Sequence, residues 1–157
     1  MNFRTIFLAI AVSLPAHAMA ETMLSVAAEQ ANVRSGPGAE YEVVWAAARH
    51  YPLEVLDRDG NWLQISDYEN YEGWIYRTLL SAVPTVVVIS KKANVREGPG
   101  MEYESLWVLE KDYSLKVLEA DGDWLKVADE DEVSGWIHKS VTWGFTEPRT
   151  VEKSPAY

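Results

Sequence analysis

A chain of 157 residues with 48% hydrophobic and 24% charged side chains has the composition of one or two small globular domains, not of a disordered or multi-span membrane protein. The lack of cysteine excludes disulfides, thiolate metal sites and thiol nucleophiles together. Fourteen basic against 24 acidic residues give a formal charge of −10, which repels nucleic acid and anionic lipid.

Residues 1–20 carry Arg4, the apolar run Thr5–Leu14, then Pro15 and the small-residue sequence Ala18-Met19-Ala20. This pattern predicts a secretory signal peptide cleaved after Ala20. The apolar run falls well short of the roughly 20 residues that span a bilayer, and the chain has no cysteine for lipid attachment. The expected mature chain starts at Glu21, loses the charge of Arg4 and so carries −11, and is exported to the periplasm or beyond without stable membrane insertion.

From Asn32 onward the chain is written twice. Asn32-Val33-Arg34-Ser35-Gly36-Pro37-Gly38 recurs 62 residues later as Asn94-Val95-Arg96-Glu97-Gly98-Pro99-Gly100, and 22 of the 49 positions from Asn32 to Leu80 are identical without a gap. In each copy the first predicted strand holds Val33 or Val95, followed by a Gly-Pro-Gly turn. Next come Leu53 and Val55, or Leu115 and Val117, in a strand leading to the tight turn Asp59-Gly60-Asn61 or Asp121-Gly122-Asp123. The strand after that turn alternates clearly. Leu63 and Ile65 share one face while Trp62, Gln64 and Ser66 share the other, and Leu125 and Val127 oppose Trp124, Lys126 and Ala128. Gly73-Trp74-Ile75 and Gly135-Trp136-Ile137 close the copies. No segment has a capped helical period, so the prediction is all-β, with about five short strands per copy in a small barrel. The expected division is 21–80 for the first domain, 81–84 for a short linker, 85–142 for the second domain and 143–157 for a tail. Each copy is marginal alone, so packing between them is expected to add stability.

The N-V-R-x-G-P-G opening, the central L-x-V-L and G-x-W-L segments and the closing G-W-I resemble the bacterial SH3-like domain family across nearly the whole of both copies. The resemblance implies two tandem small SH3-like β-barrels acting as a binding or targeting module of the cell envelope, commonly linked to peptidoglycan or cell-wall hydrolases. One departure is visible. Many family members have a Lys-Gly-Asp type turn where this chain has Arg49-His50-Tyr51-Pro52 and Lys111-Asp112-Tyr113-Ser114, as in a subgroup of exported proteobacterial proteins. The fold does not fix a ligand, since it hosts many functions.

Seven Trp and eight Tyr against three Phe make most aromatics amphipathic. Trp62 and Trp124 lie on the face opposite the core, as Trp74 and Tyr76 oppose Ile75 and Trp136 and His138 oppose Ile137. Such aromatics either line a ligand groove or pack beneath a loop or between repeats. The resemblance nominates Trp62 and Trp124 as groove residues, with Tyr41 and Tyr103 as neighbours, and the alternation adds Trp74 and Trp136 as ligand-binding candidates. Arg34 and Arg96 have two readings, a ligand carboxylate or, preferred, an internal salt bridge. Asp129-Glu130-Asp131-Glu132 reads as a solvated loop, with a weak divalent-cation site as its rival. Gly36-Pro37-Gly38 lacks a phosphate-loop pattern, and counting a calcium loop from Asp57 puts Trp62 and Tyr68 where Gly and Glu are needed. His50 and His138 align with Asp112 and Tyr76 and form no expected ligand pair. No nucleophile or metallohydrolase motif occurs, so the expectation is a non-enzymatic protein needing no cofactor, with a wall peptide or glycan or a periplasmic protein as its partner. The rival is a structural or regulatory domain that docks on a cell-wall hydrolase without touching the wall.

Overall fold

Alternation in the sequence becomes two antiparallel sheets, one per repeat, in a computed structural model that describes residues 22–147. The expected signal peptide and its cleavage site lie outside the described residues. The first repeat contributes β1 (Thr22–Val26), β2 (Gln30–Arg34), β3 (Val43–Ala48), β4 (Pro52–Asp59), β5 (Trp62–Ser66), β6 (Glu72–Tyr76) and β7 (Leu80–Ser81). The second contributes β8 (Thr85–Val88), β9 (Lys92–Arg96), β10 (Ser105–Glu110), β11 (Ser114–Asp121), β12 (Trp124–Ala128), β13 (Ser134–His138) and β14 (Thr142–Gly144). Strand order is β3-β2-β6-β5-β4-β1-β7 in one sheet and β10-β9-β13-β12-β11-β8-β14 in the other. Each repeat thus has seven strand segments where the sequence suggested about five, because β1 and β7, or β8 and β14, pair at the sheet margin. The helical elements described are two short 3-10 turns, Arg77–Leu79 and Lys139–Val141. Among the described residues no helix is long and apolar enough to cross a membrane.

The predicted inward residues fill the cores. Val33, Leu53, Ile65 and Ile75 are fully buried in the first barrel, and Val95, Leu125 and Ile137 in the second. The β4–β5 and β11–β12 hairpins close over Gly60 and Gly122, whose φ values of 57° and 56° suit a residue without Cβ. His50 and Asp112 hold φ of 66° and 71° in the β3–β4 and β10–β11 turns. These lie in the turn in which the chain departs from the Lys-Gly-Asp pattern, and each takes a left-handed backbone without being glycine.

The repeats share an interface that alternation alone did not reveal. All four residues of β8 are buried. Val86 and Val88 enter the second core, whereas Val87 joins the core of the first. Trp143, paired with Val87 across β14 and β8, packs against that same first core. Tyr68 lies 6.3 Å from the Trp143 ring, donates its hydroxyl proton to Asp112, and carries the Lys111 ammonium 5.5 Å from its ring centroid. Burial, helped by the Asp112 carboxylate, pushes the Tyr68 hydroxyl up to about 12. Lys111 also pairs with Glu69 at 2.5 Å on the exposed rim. At the register position of Val87 and Trp143, the first repeat instead places Ser25 and Ser81, hydroxyl to hydroxyl at 3.1 Å, with Ser25 also donating to the Val83 carbonyl.

Candidate functional site

The outer face of the second barrel holds a groove of about 410 Å³. Lys92, Asn94 and Arg96 reach it from alternate positions of β9, whose intervening Ala93 and Val95 are buried. Trp124 forms part of the wall from the start of β12, and His138 from the end of β13. The two are register partners, and their rings meet edge to face with centroids 5.1 Å apart. The backbone N–H of Ser140 donates to His138 Nδ1 at 3.2 Å, capping the 3-10 turn and leaving Nε2 as the donor of the neutral ring. Met101 and Val141 add apolar wall.

Arg96 ties this wall to the Gly98-Pro99-Gly100 loop. Its Nη1 donates to the carbonyls of Met101 and Tyr103, at 3.4 and 2.9 Å, and Arg34 binds the carbonyls of Ala39 and Tyr41 at 3.0 and 2.8 Å. The preferred expectation of an internal salt bridge for these arginines is therefore corrected: the acceptors are backbone carbonyls of the following loop. That loop also explains its glycines. The Tyr41 ring lies where a Cβ of residue 36 would stand, and Tyr103 lies likewise over Gly98.

Of the sequence-nominated residues, Trp124 lines the groove. Trp62 holds the equivalent place in the first barrel, edge to face with Tyr76 at 5.3 Å. Tyr41 and Tyr103 remain exposed at 42% and 41%, each laid against its glycine loop. Trp74 and Trp136 are half-buried, opposite Arg34 and Arg96 in register, on the strand beside the groove face. The structure thus unites Trp124 with Arg96 and His138, and leaves Tyr103 and Trp136 outside the groove wall. Lys92, Met101 and Ser140 were missed as groove residues. Their signal was the comparison of repeats: they replace Gln30, Ala39 and Thr78.

The acidic run 129–132 is organised by its first member. Asp129 Oδ1 accepts from the backbone N–H of Asp131 and Val133, as Asp67 Oδ1 does from Glu69 and Tyr71, so this carboxylate closes a turn. Glu132 pairs with Lys116 at 2.7 Å, which holds its carboxyl below the usual range. Among the described residues no group of three His, Cys, Asp or Glu side chains converges as metal ligands would.

The profile of the bacterial SH3 domain matches residues 27–82 and again 90–144. A protein of Bacillus subtilis assigned by name as an N-acetylmuramoyl-L-alanine amidase is 26% identical over 123 residues, covering 71% of this chain and 24% of that protein. An uncharacterized protein of Haemophilus influenzae is 29% identical over 92 residues, covering 59% of this chain and 39% of its own length. The chain therefore spans well under half of either curated relative. Among solved structures, an NlpC/P60 family protein from Bacillus cereus has 15% identity and a TM-score of 0.38, covering 78% of this chain and 56% of that one. NlpC1 from Trichomonas vaginalis has 10% identity and a TM-score of 0.36, covering 94% and 54%.

Proposed function

Because the chain belongs to the bacterial SH3 domain family, we propose that it is an exported, non-enzymatic binding module that recognises a component of the bacterial cell envelope through the aromatic face headed by Trp124 and Trp62. The observation that carries this reading is the groove beside Trp124. A large indole kept on the outer face, flanked by the polar groups of Asn94, Arg96 and His138, offers a ligand both apolar contact and hydrogen bonds. The alignment with a protein named as a cell-wall amidase supports an envelope component as the target. Tyr41, Tyr103, Trp74 and Trp136 extend the surface at its edges.

A second reading has its own support. Residues similar to this chain make up only 24% of that amidase-named relative, so in that protein they accompany other sequence. A domain built to sit beside a hydrolase would dock on one and leave the wall alone.

Co-sedimentation of the exported protein with purified sacculi, run beside capture from envelope extract, separates the two. Binding to sacculi that Trp124→Ala weakens by about 2 kcal/mol or more, roughly thirtyfold in Kd, supports the first reading. Capture of a hydrolase without any sacculus binding supports the second, and neither result in either assay refutes both. N-terminal sequencing tests the export, with Glu21 expected as the first residue.

A further inference from the structure

The two repeats carry the same surface with different chemistry. Of the nine residues lining the groove, four have identical counterparts in the first repeat, namely Ala31, Asn32, Arg34 and Trp62. Two of the changes alter the polar character. Gln30 becomes Lys92, and Tyr76 becomes His138. The groove thus gains a second cation, four residues from Arg96 along β9, and a phenol is exchanged for an imidazole. None of its lining residues is Asp or Glu, although the chain carries 24 of them.

Resting on the reading of the chain as a binding module, we propose that the second-repeat groove is a site for the free carboxylate end of a peptide, and that the first repeat does not share this specificity. Lys92 and Arg96, at the two ends of β9, give the groove two positive side chains that a carboxylate could meet. Only Nη1 of Arg96 is engaged by the loop carbonyls, so the remaining N–H groups of its fork are available to a ligand. The His138 ring adds a further polar group to the wall. The overall charge of −10 opposes any anion at long range, so attraction is local and screened by salt. The apolar walls set the ligand class. Trp124, Met101 and Val141 would cover a small apolar side chain next to the anion, whereas a bare phosphate would leave them unfilled. In the first repeat Ala39 stands in place of Met101 and Gln30 in place of Lys92, so both the wall and the charge are reduced.

The test uses the exported full-length chain and three probes: N-acetyl-Ala-Ala with a free carboxylate, the same dipeptide as its C-terminal amide, and inorganic phosphate. The indole N–H resonances of Trp124 and Trp62 are followed by NMR. The acid is expected to shift Trp124 at concentrations that leave Trp62 unmoved, and to bind about tenfold more tightly than the amide. Lys92→Gln, which installs the residue present at the matching exposed position of the first repeat, should weaken the acid about fivefold and leave the amide unchanged. His138→Tyr serves as a second variant already accommodated by the homologous fold. Equal binding of acid and amide, equal shifts at Trp62, or displacement of the peptide by equimolar phosphate would each overturn the carboxylate site. Sacculus binding that needs Trp124 but shows no acid preference removes this proposal and leaves the binding module standing. Peptide acid bound at Trp124 by a protein that ignores both sacculi and extract supports this site and removes the envelope reading.

Discussion

Replacing Val87 with Ala tests whether the repeats are one cooperative unit. Val87 is fully buried, yet its contacts lie with the core of the other repeat. The substitution deletes two methyl groups at about 0.8 kcal/mol each of transfer free energy. The cavity left behind adds to this, because Trp143 on one side and the first barrel on the other are both held in place, giving a total of about 2–3 kcal/mol. For a chain of this length that corresponds to a fall in Tm of about 4–12 °C. Urea denaturation followed by far-UV circular dichroism measures the loss. A double-mutant cycle between Tyr68→Ala and Trp143→Ala assigns it to the interface, since rings in contact should couple by about 0.5–1.5 kcal/mol. A Val87→Ala cost under about 0.5 kcal/mol, or strictly additive effects in the cycle, would show that the repeats fold as independent beads.

Acid should loosen the joint through His50. Burial first, then Lys116 and Arg49, lower its pKa against the opposing pull of Glu130 and Glu132. The folded state therefore holds this proton less tightly than the unfolded chain, so the stability concerned is complete above pH 6.5 and is lost as pH falls from there toward the lower folded value. The difference between wild type and His50→Asn, which tolerates the positive φ, should shrink or change sign across that window; a pH-independent difference in urea midpoints would contradict it. Arg96→Gln removes the bonds to Met101 and Tyr103 and should cost about 1–2 kcal/mol in chemical denaturation. Gly98→Ala forces the Tyr103 ring off the loop and should cost about 1–3 kcal/mol, with Tyr103 becoming more accessible to iodination. An unchanged denaturation midpoint in either variant would show that the loop is not held this way.

The period-two pattern was legible where a strand buries one face, as at Leu63 and Ile65 against Trp62 and Gln64. It misled at the strand end. Ser66 and Ala128, read as outward, are buried at the point where the strands turn into the self-bonded loops 67–71 and 129–133. The run Thr85–Val88 carried a signal of another kind: apolar residues without alternation mark a strand covered on both sides. Val87 and Trp143 follow from it, although neither stands out when the repeats are read singly. The arginine contacts were invisible for a plain reason, since their partners are backbone carbonyls and every residue has one. The outer-face position of Trp124 follows from alternation, but the groove beside it depends on how Met101 and the 3-10 turn at Lys139–Val141 close around it.

The joint between the repeats is heterologous: a plug made of Val87 and Trp143 enters a socket formed around Tyr51 and Tyr68. Head-to-tail contacts of this type have no built-in stop, and a chain offering plug at one end and socket at the other would grow into a filament. Here both outward ends are spoiled. Where a further plug would be, Ser25 and Ser81 bond to each other and to the Val83 carbonyl. Where a further socket would be, Glu130 replaces Tyr68, and Tyr113, the counterpart of the buried Tyr51, stands 42% exposed among carboxylates. The duplicated unit has kept its fastening on the inside and lost it on the outside, so stacking of further molecules gains nothing from the contact that holds these two barrels together.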